Sequence, residues 1–192
     1  MTSITSDHAL GPHFAVLAER ADRAGLLDVA YRTVDTPVGR LLLAATPAGL
    51  VRVAYEREDL DRVLGTLAVN ISPRILEAPR RLDQAARQLD EYFAHQRHAF
   101  DLPVDLRLVT GFRRQVLGYL QQVGYGHAAS YASVAAAVGH PRAFRAVGRA
   151  CSTNPVPLVV PCHRVIRSDG ALNGYVGGPE IKRHLLEMEA AA

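Results

Sequence analysis

A chain of 192 residues, 48% hydrophobic and 21% charged, is long enough to bury a core in one domain or two small ones. It has no run of about 18 uncharged apolar residues, which argues against a membrane span. Its two cysteines, Cys151 and Cys162, are too few for a disulfide scaffold or a cysteine-based metal site. Net charge is +3 but unevenly spread: residues 1–110 carry 13 Arg against 15 Asp plus Glu, and residues 111–192 carry 9 Lys plus Arg against 4 acids. A polyanion is therefore expected on the C-terminal half. The first residues lack a basic stretch followed by an apolar core, so a reducing cytoplasm is the expected compartment. One thiol then becomes a candidate nucleophile.

From the N-terminus, Pro12 to Ala24 reads as a helix with Phe14, Leu17, Ala18 and Ala21 on one face, Pro12 as starter and Gly25 as stop. Three strands follow, Val29–Val34, Arg40–Ala45 and Leu50–Tyr55. The turns Thr36-Pro-Val-Gly39 and Thr46-Pro-Ala-Gly49 separate them into a meander. Leu60, Val63, Leu64 and Leu67 repeat at helical spacing, as do Leu82, Ala85, Ala86, Leu89 and Phe93. A short strand is expected over Ala99–Val104, ended by Asp105-Leu-Arg107. None of these segments gathers residues that carry chemistry.

From Thr110 the character changes. Thr110 is a candidate N-cap for a helix with Phe112, Val116, Tyr119, Leu120 and Val123 inward, stopped by Gly124. Tyr131, Val134, Ala135 and Val138 mark a short second helix, and after Gly139-His140 a third is expected to open at Pro141 and bury Ala143, Ala146, Val147 and Ala150. Helix, short turn and helix form a helix-turn-helix pattern. Arg142, Arg145 and Arg149 share the opposite face, where they would meet DNA. Three arginines on a helix are ordinarily a solvated face. Ala143, Ala146 and Gly148, however, leave few long side chains to read bases and suit close approach of the backbone to a groove. The expected division is a helical extension over 1–27, an α+β domain with a small antiparallel sheet over 28–107, and a mostly helical domain over 108–192.

The stretch Asn154-Pro-Val-Pro-Leu-Val-Val-Pro-Cys162-His-Arg-Val-Ile-Arg167 carries the chemistry. Its three prolines predict a stiff extended segment, with Pro161 fixing the backbone before the thiol. A thiolate is the reactive form of cysteine and needs a base or a positive field at neutral pH. Neighbours on an extended segment point opposite ways, so a direct bond between Cys162 and His163 is not required, and a bridging water is geometrically reasonable. A lone Cys-His pair is ordinarily a buried thiol beside an unrelated imidazole.

The pair does not stand alone. Ser130-Tyr131, Arg145-Ala-Val-Gly148, Asn154-Pro-Val-Pro, Pro161-Cys-His-Arg-Val165, Gly174-Tyr175-x-Gly-Gly178, Lys182 and Leu185-Leu-x-x-Glu189 follow one another at tight spacing. This set resembles the O6-alkylguanine-DNA alkyltransferase family, densely over residues 110–190. The resemblance implies direct repair by a self-inactivating methylated-DNA–protein-cysteine methyltransferase. The alkyl group of O6-alkylguanine, with O4-alkylthymine left open, would pass irreversibly to Cys162 after minor-groove binding and base flipping.

In the roles it implies, His163 is the base, acting through water, and Glu189 orients it. Asn154 bonds the backbone near the site, and Tyr131 donates to the departing guanine. Tyr175 walls the pocket, and backbone groups at Val165 and Val176 read the guanine edge. Arg145 fills the gap left by the flipped nucleotide, with Ala143, Ala146 and Gly148 against the duplex. No cofactor and no metal is expected, since the cysteines of the zinc site in some relatives are missing here. The partner is double-stranded DNA, met by a monomer.

Two departures bear on substrate range. Val176 stands where the family often has a small or hydroxyl residue, and Pro179-Glu180 replaces a less rigid, less acidic pair. Three other classes remain to be separated: a non-catalytic lesion binder, which replaces the cysteine; a helix-turn-helix regulator, whose recognition helix carries long polar side chains; and a cysteine hydrolase, which turns over many times.

Overall fold

The computed structural model describes residues 11–168, 170–172 and 174–191, and the side chains of all of these except 11–15. The Pro/Gly corners fold the first apolar runs back on each other. Strand β1 (Val29–Thr36) pairs antiparallel with β2 (Gly39–Thr46), and β2 with β3 (Gly49–Tyr55). In β2 the run Leu41-Leu42-Leu43-Ala44 is buried on both faces, with Leu41 and Leu43 in one apolar cluster and Leu42 and Ala44 in the other. A strand sandwiched between two layers has no reason to alternate polar and apolar residues. Helix α2 (Leu60–Asn70) covers one face through Val63 and Leu67. Helix α3 (Asp83–Phe93) covers the other through Ala85, Ala86, Leu89 and Tyr92.

Three expectations need correction here. The sheet has a fourth strand, β4 (Ile75–Glu77), parallel to β1, so the order is β3-β2-β1-β4 and the sheet is mixed. Three residues are too few to show a period. No strand forms over Ala99–Val104; Leu50 instead donates to the Pro103 carbonyl (2.8 Å) and accepts from Asp105 N–H (2.8 Å), making one bridge. Pro103 has no N–H to continue a ladder. In the first helix, α1 (Gly11–Arg23), Ala18 is buried and Ala21 partly so, but Leu17 is 51% exposed. The buried stripe is centred on Ala18, about 100° round the helix from Leu17. The expected place of Phe14 lies outside the described side chains.

The C-terminal half packs α4 (Gly111–Leu120), α5 (Tyr131–Ala137), α6 (Phe144–Ser152) and α7 (Pro179–Ala190) around a two-stranded pair, β5 (Ala129–Ser130) and β6 (Val165–Ile166). Thr110 sits extended at the N-cap of α4, but its hydroxyl makes no cap bond. Ser130 and Ser133 close a reciprocal capping box on α5. Helix α6 begins at Phe144, not at Pro141: Ala143 N–H bonds the His140 carbonyl (2.8 Å), closing a turn that Pro141 and Arg142 occupy. Ala146 is exposed rather than buried, while Val147, Ala150 and Cys151 face inward.

One apolar cluster runs through both halves, from Leu41, Tyr55 and Tyr92 to Val116, Val147, Cys162 and Leu185. The outer edge of the sheet, β3, is partly covered by the C-terminal half, because Val53 N–H donates to the Pro155 carbonyl (2.8 Å).

Candidate functional site

The segment leaving α6 is not extended as its prolines suggest. It runs through bends and turns from Asn154 to Val160, with Leu158 in the left-handed region (φ 72°). Asn154 explains the shape. Its amide Nδ2 donates to the Val160 carbonyl (2.8 Å) and to the Cys162 Sγ (3.1 Å), and its Oδ1 accepts from Val156 N–H (3.0 Å). A fully buried side chain thus closes the loop and reaches the sulfur. A left-handed non-glycine residue is sparsely populated and persists only where its surroundings fix it.

Cys162, His163 and Arg164 form one 3-10 turn, which places successive side chains about a third of a turn apart rather than on opposite faces. Cys162 is 1% exposed, and burial pushes its thiol up to about 11, opposed by the Asn154 hydrogen bond and the charge of Lys182. His163 is fully buried, and burial holds its imidazole below the usual value despite Glu189. Its Nε2 lies 2.9 Å from Glu189 Oε1, while Nδ1 is buried with no hydrogen-bond partner among the described residues. A carboxylate can only accept, so Nε2 carries the hydrogen and Nδ1 presents a lone pair.

Glu189 does more than orient His163. Arg164 grips it twice, from Nε to Oε2 (2.9 Å) and from Nη2 to Oε1 (2.8 Å), and Tyr92 donates to Oε1 (2.7 Å). Burial alone would raise the carboxyl, but the hydrogen bonds from His163 and Arg164 outweigh it and keep Glu189 ionised. The Arg164 charge cancels the Glu189 charge, so the imidazole gains an orienting acceptor without being forced to protonate. Arg164 and Tyr92 have no role in the sequence reading. For Arg164 the signal is an arginine inside an apolar run, which needs a carboxylate somewhere. For Tyr92 there is none, since it reads as one more core residue on α3.

Tyr175 is buried, packs its ring edge-on against His163 (centroids 6.2 Å) and shares a hydroxyl–hydroxyl bond of 2.6 Å with Tyr55 at the end of β3. Gly177 beside it is required: a Cβ there would lie 2.9 Å from both tyrosine rings. Lys182, fully buried, donates to the Val165 carbonyl (2.5 Å) and lies 3.5 Å from the Tyr131 hydroxyl. One lone pair of Val165 is therefore engaged. Burial lifts Tyr131 to about 12, so the phenol keeps its proton.

Tyr131, Arg145 and Gly148 line one cavity of ≈ 670 Å³ with Phe144, Arg167 and Gly174. The α6 backbone is close here, since a Cβ on Gly148 would meet the Tyr131 ring at 3.8 Å. Arg145 is exposed at this mouth, and its guanidinium lies 5.5 Å from the Phe144 ring centre. Ala146 is exposed on the same helix and Ala143 is half-buried at its N-cap. Val176 is not among the residues lining this cavity. It lines a separate groove with Asn154 and Pro155. Pro179 occupies the first turn of α7 and Glu180 is the acid there, a favourable helix start. Among the described residues no group of three or more His, Cys, Asp or Glu could hold a metal, and no helix is long and apolar enough to cross a membrane.

Residues 111–191 match the profile of the 6-O-methylguanine DNA methyltransferase DNA-binding domain, and residues 29–106 that of the ribonuclease-like domain of the same family. The methylated-DNA–protein-cysteine methyltransferase of Methanosarcina barkeri is 38% identical over 159 residues, 83% of this chain and 96% of that one. The constitutive enzyme of that name from Bacillus subtilis is 41% identical over 160 residues, 83% of this chain and 94% of its own length. Among solved structures, Mycobacterium tuberculosis O6-methylguanine methyltransferase superposes with a TM-score of 0.74 at 38% identity, covering 85% of this chain and 93% of the other. M. tuberculosis OGT in complex with DNA gives 0.73 at 37%, covering 84% and 93%.

Proposed function

Because the chain belongs to the 6-O-methylguanine DNA methyltransferase family, we propose that Cys162 is the acceptor through which it repairs DNA by alkyl transfer to cysteine, and that its substrate is O6-alkylguanine in duplex DNA. The observation that carries this reading is the pairing of two arrangements. The Asn154 amide is 3.1 Å from the Cys162 sulfur, and the next residue is an imidazole tied to Glu189 by one nitrogen with a lone pair on the other. The other thiol, Cys151, is fully buried inside α6, where burial raises it further than Cys162.

The transfer follows from the neutral state of both groups. The thiol proton passes to His163 Nδ1 through a water, the sulfur forms a bond to the alkyl carbon, and the electron pair of the C–O6 bond stays with guanine. Tyr131 donates a hydrogen bond to guanine as negative charge develops on it, and the Asn154 amide steadies the sulfur. The thioether has no leaving group comparable to guanine, so each molecule acts once. O6 lies inside the duplex, so the nucleotide must be extruded, at a cost of a few kcal/mol. Arg145, exposed at the mouth lined by Tyr131 and Gly148, fills the gap. One chain supplies every group named, so a monomer suffices.

Arg145→Ala separates the wedge from the chemistry. Transfer from an O6-methylguanine duplex is expected to fall at least tenfold, while reaction with free O6-benzylguanine changes by less than about twofold, a difference of roughly 1 kcal/mol or more. Equal loss on both substrates would remove the wedge role.

A further inference from the structure

A second cavity, ≈ 860 Å³, lies between α2, the loop at Arg107 and the C-terminal end of α6, and it shares Ser152 with the cavity at Arg145. Arg52, Arg57, Arg62, Arg107 and Arg113 line it, against Glu58 and Asp59. Four of these arginines come from the half of the chain that is acidic overall, so composition alone does not account for the cluster.

Internal ion pairs do not use up this charge. Arg52 pairs with Glu58, and Arg107 with Asp105 (2.5 Å). Arg57 donates to the Gly177 carbonyl (2.9 Å) and Arg113 to the Thr153 carbonyl (3.0 Å), and a carbonyl neutralises nothing. Among the described residues Arg57, Arg62 and Arg113 have no carboxylate partner, and the buried Nε of Arg113 has no hydrogen-bond partner. Even counting Asp105, five guanidiniums meet three carboxylates. A guanidinium is the side chain best matched to bidentate binding of a phosphate.

We propose that this groove holds phosphodiester groups of the same duplex that docks on α6, so that the N-terminal half grips the strand flanking the lesion. The inference rests on the docking of DNA on α6 argued above. The two cavities adjoin at Ser152, which favours a strand that runs on from the Arg145 mouth over a small free phosphate compound. Arg62 and Arg107, both exposed, come from α2 and the loop before α4, so the contact would tie the sheet half to the DNA and fix how the two halves sit on it.

The test uses the full chain as wild type, Arg62→Gln and Arg62→Gln/Arg107→Gln, with thermal melting to certify that each variant is folded. The Kd for a 20-base-pair duplex is measured against salt. Each phosphate contact contributes about 0.9 to the slope of log K against log salt, so the single variant should lose about one and the double about two, with affinity at low salt reduced about tenfold or more. Unchanged slopes in folded variants would overturn the proposal. So would a groove that takes only free phosphate, seen as stabilisation of wild type but not of the double variant by inorganic phosphate with no change in duplex slope. Arg145→Ala/Arg149→Ala, measured alongside, reports on α6 itself: if duplex binding survives that change, the docking on α6 is wrong, whatever the groove variants do.

Discussion

Burial pushes the Cys162 thiol up to about 11, and it also holds His163 below 6.5, so at neutral pH both groups are uncharged and the proton must move during transfer. A rate that depends on neutral His163 rises through the imidazole's lowered pKa and is then flat from about pH 7 to pH 9. Attack by a free thiolate alone would instead rise about tenfold per pH unit over that window. The rate of inactivation by O6-benzylguanine against pH tells the two apart, and the plateau is the expected result. Glu189→Gln keeps a hydrogen-bond acceptor but leaves the Arg164 guanidinium buried without its counter-charge. Breaking a buried pair in this way costs about 3–5 kcal/mol, so a large loss of stability in urea is expected together with slower transfer. At this scale Cys162, His163, Asn154 and Glu189 were legible because an ordered set of short motifs singled them out. Arg164 stood inside one of those motifs without a role, since its partner is 25 residues away in sequence and only the fold brings them together.

The element that carries the site is the looped segment from Asn154 to Val160, and its prolines misled because they restrict φ without choosing between extended chain and turn. A single buried amide makes that choice. Asn154→Ala removes three hydrogen bonds and leaves the Val160 carbonyl and Val156 N–H without it, so a loss of about 2–4 kcal/mol is expected in chemical denaturation, with transfer slowed at least tenfold. Asn154→Asp keeps the acceptor toward Val156 but sets a buried carboxylate oxygen against the Val160 carbonyl and the Cys162 sulfur, so it should recover neither the stability nor the rate. Tyr55 at the end of β3 reaches across to Tyr175 in the same way. Tyr55→Phe leaves the Tyr175 hydroxyl buried without that partner and should cost about 1–3 kcal/mol, measured by thermal or urea unfolding. Nothing local to β3 marks Tyr55 for this role. The start of α6 was placed three residues early for a related reason: Pro141 suits a first helical turn, yet it also suits the turn that the His140 carbonyl closes.

Across the whole molecule, Pro/Gly turns between apolar runs marked the meander, and helical periods marked α2, α3 and the helix-turn-helix. The short β4 and the single bridge at Val104 carry too few residues to show a period. What no pattern shows is the core shared by the two halves, in which Tyr92 of α3 bonds Glu189 of α7. Its buried groups set the pH range of stability. His163 and Glu189 have folded pKa values below their ordinary 6.5 and 4.5, so their contributions are present above those values and lost as pH falls, when the unfolded chain takes up protons that the folded one resists. Cys162 is raised from 9.0 to about 11, so its contribution is present below pH 9.0 and lost as pH rises toward 11. Taken together, these three groups make the unfolding free energy flat between about pH 6.5 and pH 9 and lower on both sides, and His163→Gln should flatten the first part of the acid limb.

The most direct measurement is the intact mass of the protein after incubation with a duplex bearing one O6-methylguanine, followed by peptide mapping. One methyl group per molecule, confined to the peptide containing Cys162 and absent in Cys162→Ser, is the expected result, with no further gain on adding more DNA. A methyl group on Cys151, a lesion removed without any gain in mass, or repeated repair by one molecule would contradict it.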